Sequence, residues 1–150
     1  MHKPEKTDEE LVAELNSNTP PANKILGGTI LSVNQADGTC RFQFSPSGGV
    51  VNAAGFIGAG YITQMLDQSC AIAGIAKTGL VPTTLEIKTN CIKALRPAPM
   101  VAKAQVVHAG RSIAFVEGIL LNENGEVVAT ASMTANLVDM AKLREKSGAT

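Results

Sequence analysis

One segment governs what this 150-residue chain can become. Residues from about Ala59 to Ala76 are its only long helical stretch, and a glycine-rich turn leads into it. Within it Ile62, Met65, Leu66, Ser69, Ile72 and Ala73 recur at helical spacing. Small residues cluster around them, as a helix approached closely by a sheet requires. A single carboxylate, Asp67, interrupts the apolar run. The chain beyond the helix is strand-like: TTLEIKTNCI, MVAKAQVV and SIAFVEGILL, then a turn from Asn122 to Gly125 and the alternation VVATASMTANLV. In that last run Val127, Ala129, Ala131, Met133, Ala135 and Leu137 share one face.

Ahead of the turn, TDEELVAELN predicts a short helix capped by Thr7 with Glu10 three residues on, stopped by Pro20-Pro21. TILSV, a turn at Asp37-Gly38, and CRFQF with Cys40, Phe42 and Phe44 on one face predict a β-hairpin closed by SPSGG. Two strands, one long helix and four strands argue for an α+β fold, a curled antiparallel sheet around one central helix. At 45% hydrophobic and 17% charged residues the chain suits one globular domain. The expected division is an N-terminal helix and linker over 1–24, the domain proper over 25–138 and a solvated tail over 139–150.

Formal net charge is zero and no basic run exists, which argues against a nucleic-acid partner. The polar N-terminus and the lack of a run of roughly 20 apolar residues argue against a signal peptide and a membrane span, so a cytoplasmic location is expected. Cys40, Cys70 and Cys91 form no CxxC pair and read as small buried hydrophobes. With only His2 and His108, neither a histidine metal site nor a Ser-His-Asp triad is readily assembled, and no metal or cofactor is expected. His108, before Ala109-Gly110, reads as a surface turn residue.

The turn and the carboxylate together suggest chemistry. A helix start exposes unpaired N–H groups and partial positive charge, and glycines allow an oxygen of a ligand close to the backbone. Asp67 sits among apolar neighbours, where partial desolvation would make it a better base. From Ala59 to Asp67 is eight residues, about 12 Å along a helix. One chain's Asp67 therefore cannot reach a carbonyl held at its own helix start, and a partner chain must bring it. Blander readings stand beside these: Asp67 paired with Lys77 or simply exposed, glycines serving close packing, Asn52 capping a turn.

The motif N-A-x-G-x-x-G-A-G, from Asn52 to Gly60, with Leu66-Asp67 seven positions beyond it, resembles the PaaI-like acyl-CoA thioesterases of the hotdog fold. The similarity spans roughly residues 25–138, helped by TTLEIKTNCIKALRPAP and VVHAGRSIAFVEGILLNENGEVVATAS. It implies hydrolysis of an acyl-CoA thioester, coenzyme A being part of the substrate rather than a cofactor. In such a site Asn52 and the N–H of Ala59 or Gly60 would polarise the carbonyl, and Asp67 would act on the water with Thr84, or less aptly Thr83, assisting. Many members carry His-Gly-Gly where this chain has Gly58-Ala59-Gly60; a main-chain donor survives that change. Gly58, Gln64, Thr83, Arg96 and Arg111 make up the expected substrate-binding set, Arg96 and Arg111 ahead of Lys88 and Lys93 as partners for phosphate. The resemblance implies a homodimer with antiparallel central helices, and a dimer of dimers beyond it. Within the fold, the alternatives are a non-catalytic acyl-CoA-binding module and an enoyl-thioester hydratase, which needs a histidine this helix lacks. Aromatic content of 3% makes an aliphatic acyl pocket more obvious than an aromatic one, and phenylacetyl and medium-chain acyl groups both stand as candidates.

Overall fold

The computed structural model describes residues 4–148, so His2 lies outside the described residues. Helix α1, Asp8–Ser17, starts at the expected box: Thr7 Oγ1 accepts from the Glu10 N–H, and the Glu10 carboxylate accepts from the Thr7 N–H. It ends before the proline pair. Pro21 then opens a second short helix, α2 (Pro21–Leu26), at a position where the missing N–H costs nothing. The hairpin follows as β1 (Thr29–Asn34) and β2 (Thr39–Phe44), with Phe42 and Phe44 stacked at 4.5 Å. Next come the central helix α3 (Ala59–Thr78) and strands β3 (Val81–Cys91), β4 (Met100–Ala109), β5 (Ile113–Leu121) and β6 (Val127–Val138). The stretch read as a tail carries helix α4, Met140–Ser147, because Asp139 caps it by accepting from the Ala141 N–H.

The six strands make one antiparallel sheet in the order β1-β2-β4-β5-β6-β3. It curls around α3 and buries Ile62, Met65, Leu66, Ser69, Cys70 and Ala73 against its concave face, which is the hotdog architecture. The approach is close. A Cβ on Gly118 of β5 would lie 3.1 Å from Cys70 Sγ, and one on Gly74 would lie 2.5 Å from Pro82 Cγ. Burial pushes the Cys70 and Cys40 thiols up to about 12, the charge of Asp67 adding to the effect on Cys70.

The two sheet edges differ. At β1, the Asn16 side chain on α1 donates to the Ile30 carbonyl and accepts from the Ile30 N–H, both at 2.9 Å, so helix α1 seals that edge. Strand β3 pairs only with β6, and its other edge has no covering element among the described residues; Leu85 on this strand is exposed.

Three expectations need correction. Val127 is exposed and Val128 fully buried in its place, because the β5–β6 register slips between Leu120, opposite Ala129, and Leu121, opposite Val127. Cys91 is exposed, being the last residue of the edge strand β3, whereas Cys40 and Cys70 are buried. His108 lies within β4, beside the bulge that follows Val106, with its ring 6.3 Å from Phe115. Among the described residues no helix is long and apolar enough to cross a membrane.

Gly74→Ala tests the close approach of α3 and β3. Overpacking against Pro82 should lower stability by about 1–3 kcal/mol in urea unfolding despite alanine's better helix propensity. An unchanged or raised midpoint would mean that Pro82 moves aside freely.

Candidate functional site

Asn52 begins a tight loop that delivers the chain to α3. Its Oδ1 accepts from the N–H groups of Ala54 (3.0 Å) and Phe56 (3.2 Å), while its main chain pairs with Phe56 and Gly55. Gly55 takes φ 79°, which suits glycine. The turn-capping role weighed for Asn52 is thus real, and it uses only the oxygen. The Nδ2 group makes no hydrogen bond among the described residues and is held in place by the bonds of its own oxygen.

The loop is tied down at Ile57, whose N–H donates to the Leu95 carbonyl, and at Gly58, whose N–H donates to the Val50 carbonyl. Gly58 caps α3 without a side chain. The Tyr61 N–H turns back to the Gly58 carbonyl at 2.9 Å, but those of Ala59 and Gly60 find no acceptor among the described residues. A Cβ on Gly60 would meet nothing within 4 Å, so packing does not require glycine there. Gly58, Gly60 and Gln64 line a cavity of about 390 Å³ together with Tyr61 and, from α2, Ile25.

Asp67 lies two turns further along α3. The Thr84 hydroxyl on β3 donates to its Oδ1 at 2.7 Å. Thr83 faces the other way and donates to the Asn136 carbonyl at 2.9 Å, so of the two candidates only Thr84 meets the carboxylate. Lys77, the cation weighed as a partner for Asp67, donates instead to the Ala36 carbonyl in the β1–β2 turn. Among the described residues no ion pair involves Asp67.

Of the cations, Arg96 belongs to the loop. Its guanidinium lies 4.7 Å above the Phe56 ring, and a Cβ on Gly55 would be 3.0 Å from its Nη1. Arg111 is at the other end of α3: the adjacent Ser112 carbonyl accepts from Leu137, which pairs with Pro82 at the start of β3. Lys93 is bound to Glu126, and Lys88 is exposed on β3. One chain therefore carries two half-sites, the loop with the helix start and Arg96, and the Asp67–Thr84 pair with Arg111 nearer by. They are separated by about 12 Å of α3.

Sequence reasoning missed two aromatic residues here. Phe56 is the platform for Arg96. Tyr61 covers the position where Gly58 lacks a side chain; a Cβ there would sit 3.4 Å from its ring. The signal for Tyr61 was its place three residues beyond that glycine, on the same helical face. Among the described residues no group of three His, Cys, Asp or Glu side chains could hold a metal ion.

Comparison with known proteins agrees with the fold. The profile of the Thioesterase superfamily matches residues 54–129, just over half of the chain. A search of curated proteins found no match. Among solved structures, the chain is similar to a phenylacetic acid degradation-related protein of Ralstonia eutropha, at 25% identity and TM-score 0.76, covering 85% of this chain and 96% of the other. It is also similar to the Escherichia coli PaaI protein, at 18% and 0.76, covering 85% and 91%. A Streptococcus mutans protein solved with acetyl-CoA bound is similar at 24% and 0.68, covering 73% and 87%.

The loop's hydrogen bonds can be separated from its chemistry. Asn52→Ala removes the acceptor of two N–H groups and should cost about 1–2 kcal/mol in thermal or urea unfolding; Asn52→Asp keeps the acceptor and should stay within about 0.5 kcal/mol of the parent. Equal loss in both variants would contradict the role assigned to Oδ1.

Proposed function

Because the chain belongs to the Thioesterase superfamily and is a thioester hydrolase with the PaaI-like hotdog fold, we propose that it cleaves an acyl-CoA thioester at a site shared between two copies of itself. The observation that carries this reading is the Asp67 carboxylate held by the Thr84 hydroxyl and left without a cation. Facing a developing tetrahedral oxyanion would be Asn52 Nδ2 and the N–H of Ala59 or Gly60 from the other copy, donors already fixed before substrate arrives. Asp67 takes a proton from the water as its oxygen adds to the carbonyl carbon; the carbon–sulfur bond then breaks and that proton passes to the departing sulfur, so coenzyme A leaves as its thiol and the acyl group as the free acid. Thr84 fixes one carboxylate oxygen, so the other faces the water.

The open edge of β3 supports the assembly. Antiparallel pairing of two such edges across a two-fold axis would bring the two α3 helices side by side in opposite directions. Each Asp67 would then lie near the other copy's Gly58-Ala59-Gly60, and each Arg111 would approach the end that carries the other's Arg96. That arrangement gathers two guanidinium groups for the phosphates of coenzyme A. A cytoplasmic location suits such a substrate, and two such pairs can associate further through their sheets.

Thiol release from a panel of acyl-CoA thioesters tests the activity. Asp67→Asn should keep the fold and lose roughly 10²–10⁴ in turnover, the usual effect of removing a general base. Asn52→Asp should be a stable variant losing about 10²–10³, the effect of removing one oxyanion donor. Near-normal turnover in either would remove that residue from the mechanism. Labelled water under single turnover decides whether Asp67 is base or nucleophile, since only a nucleophile acquires the label.

Subunit mixing tests the shared site. Homodimers of Asn52→Asp and of Asp67→Asn should each be nearly inactive. A mixed dimer has one site with both lesions and one with neither, so co-refolding equal amounts should restore roughly a quarter of full activity. Confirmed exchange of tagged chains without recovery would place both residues of each site in one chain.

A further inference from the structure

Gly60 is a glycine that neither packing nor backbone geometry requires. A Cβ there would meet nothing within 4 Å, and Gly60 is not among the glycines of positive φ. It lies in the first turn of α3, where alanine is the better helix former. The glycine therefore costs the helix stability and gives the fold nothing in return. What it leaves is room. Gly60 lines the cavity at the helix start, and its own N–H, one of the two there without an acceptor among the described residues, lies at that bare position.

The rest of the lining says what the room suits. Across from α3 the cavity is walled by Ala22, Ile25 and Leu26 of α2, and no charged residue lines it. Leu26 is buried, whereas Ile25 and Tyr61 are 59% and 41% exposed, two large side chains left open to solvent on the walls of one hollow. A thioester whose carbonyl oxygen is held by the Gly60 N–H would place one of its two arms in this space. The pantetheine arm carries amides and a hydroxyl, which an apolar wall would leave without partners; an uncharged acyl arm loses nothing there. Size agrees: a cavity of about 150 Å³ holds a six-carbon ring, so about 390 Å³ accommodates a chain of roughly eight carbons.

We propose that the cavity between α2 and the start of α3 receives the acyl arm, in the copy that holds the carbonyl, and that Gly60 and Ile25 set its specificity for uncharged, medium-length acyl groups. The inference rests on the acyl-CoA hydrolase reading and adds the substrate class and the residues that select it.

The test compares kcat/KM for acetyl-, butyryl-, octanoyl- and succinyl-CoA. In the parent, octanoyl-CoA should exceed acetyl-CoA at least tenfold, and butyryl-CoA should exceed succinyl-CoA, of equal chain length but charged, at least tenfold. Gly60→Ala should lower the octanoyl-to-acetyl ratio at least tenfold, the effect of one misplaced methyl group in an apolar pocket, while its midpoint in urea stays level or rises. Ile25→Lys, at an exposed position, should lower the same ratio and shrink the preference for butyryl over succinyl at least tenfold. A parent without these preferences, or a ratio unmoved in either variant, would overturn the proposal; uniform loss across all four thioesters would put the pantetheine arm in the cavity instead. If the parent releases no thiol from any of them, the hydrolase reading falls, and calorimetric titration with octanoyl-CoA and with free coenzyme A tests the cavity by itself. Octanoyl-CoA binding about tenfold tighter in the parent, with that advantage lost in Ile25→Lys, would support the cavity, and equal binding of the two would overturn it.

Discussion

The seat of Pro82 against Gly74 sets the alignment on which the rest of the site depends. No side chain fits between them, so β3 lies close along α3 here, in the register that its pairing with β6 gives it. Two residues past Pro82, Thr84 reaches Asp67, seven residues before Gly74 on the helix. A slip of one residue along β3 would present Thr83 or Leu85 instead, and neither is free to serve: Thr83 is bonded to the Asn136 carbonyl, and Leu85 has no hydroxyl. The polar contact at the carboxylate is therefore a consequence of apolar packing some distance away.

The same dependence decides what was legible in the sequence. Local signals were sufficient for the capped start of α1, for α3 and for the strands, because each is written within one continuous segment of at most 20 residues. The order of pairing was less accessible. Nothing in β3 itself says that it crosses to pair with β6, and alternation along β6 could not reveal the bulge that exchanges Val127 for Val128. The strand pattern alone did not separate Thr83 from Thr84, which only the resemblance ranked first, since adjacent residues of a strand face opposite ways and only the partner strand says which way is in.

Asn52 illustrates a different limit. Its loop, N-A-A-G-F, has the same hydrogen bonds as N-E-N-G-E at the β5–β6 turn: in both, the asparagine Oδ1 accepts from the second and fourth N–H groups beyond it, and the glycine N–H returns to the asparagine carbonyl. Asn122 does this in a turn that joins two strands, β5 and β6. What separates the two is position alone, because the first turn opens onto unpaired donors of α3 and lies under Arg96. Sequence identifies the turn. Only the fold says that the amide left over can matter.

Asn16 has a consequence for assembly that reaches beyond its two hydrogen bonds. A curled sheet with both edges open can add a neighbour on each side, and head-to-tail addition of that kind has no end point: it yields ribbons of indefinite length. By occupying the Ile30 main-chain groups, α1 leaves one sticky edge per molecule. Growth from edge to edge then terminates at two. In this sense the N-terminal helix, which supplies no group to the thioester chemistry, acts as the chain terminator of the assembly.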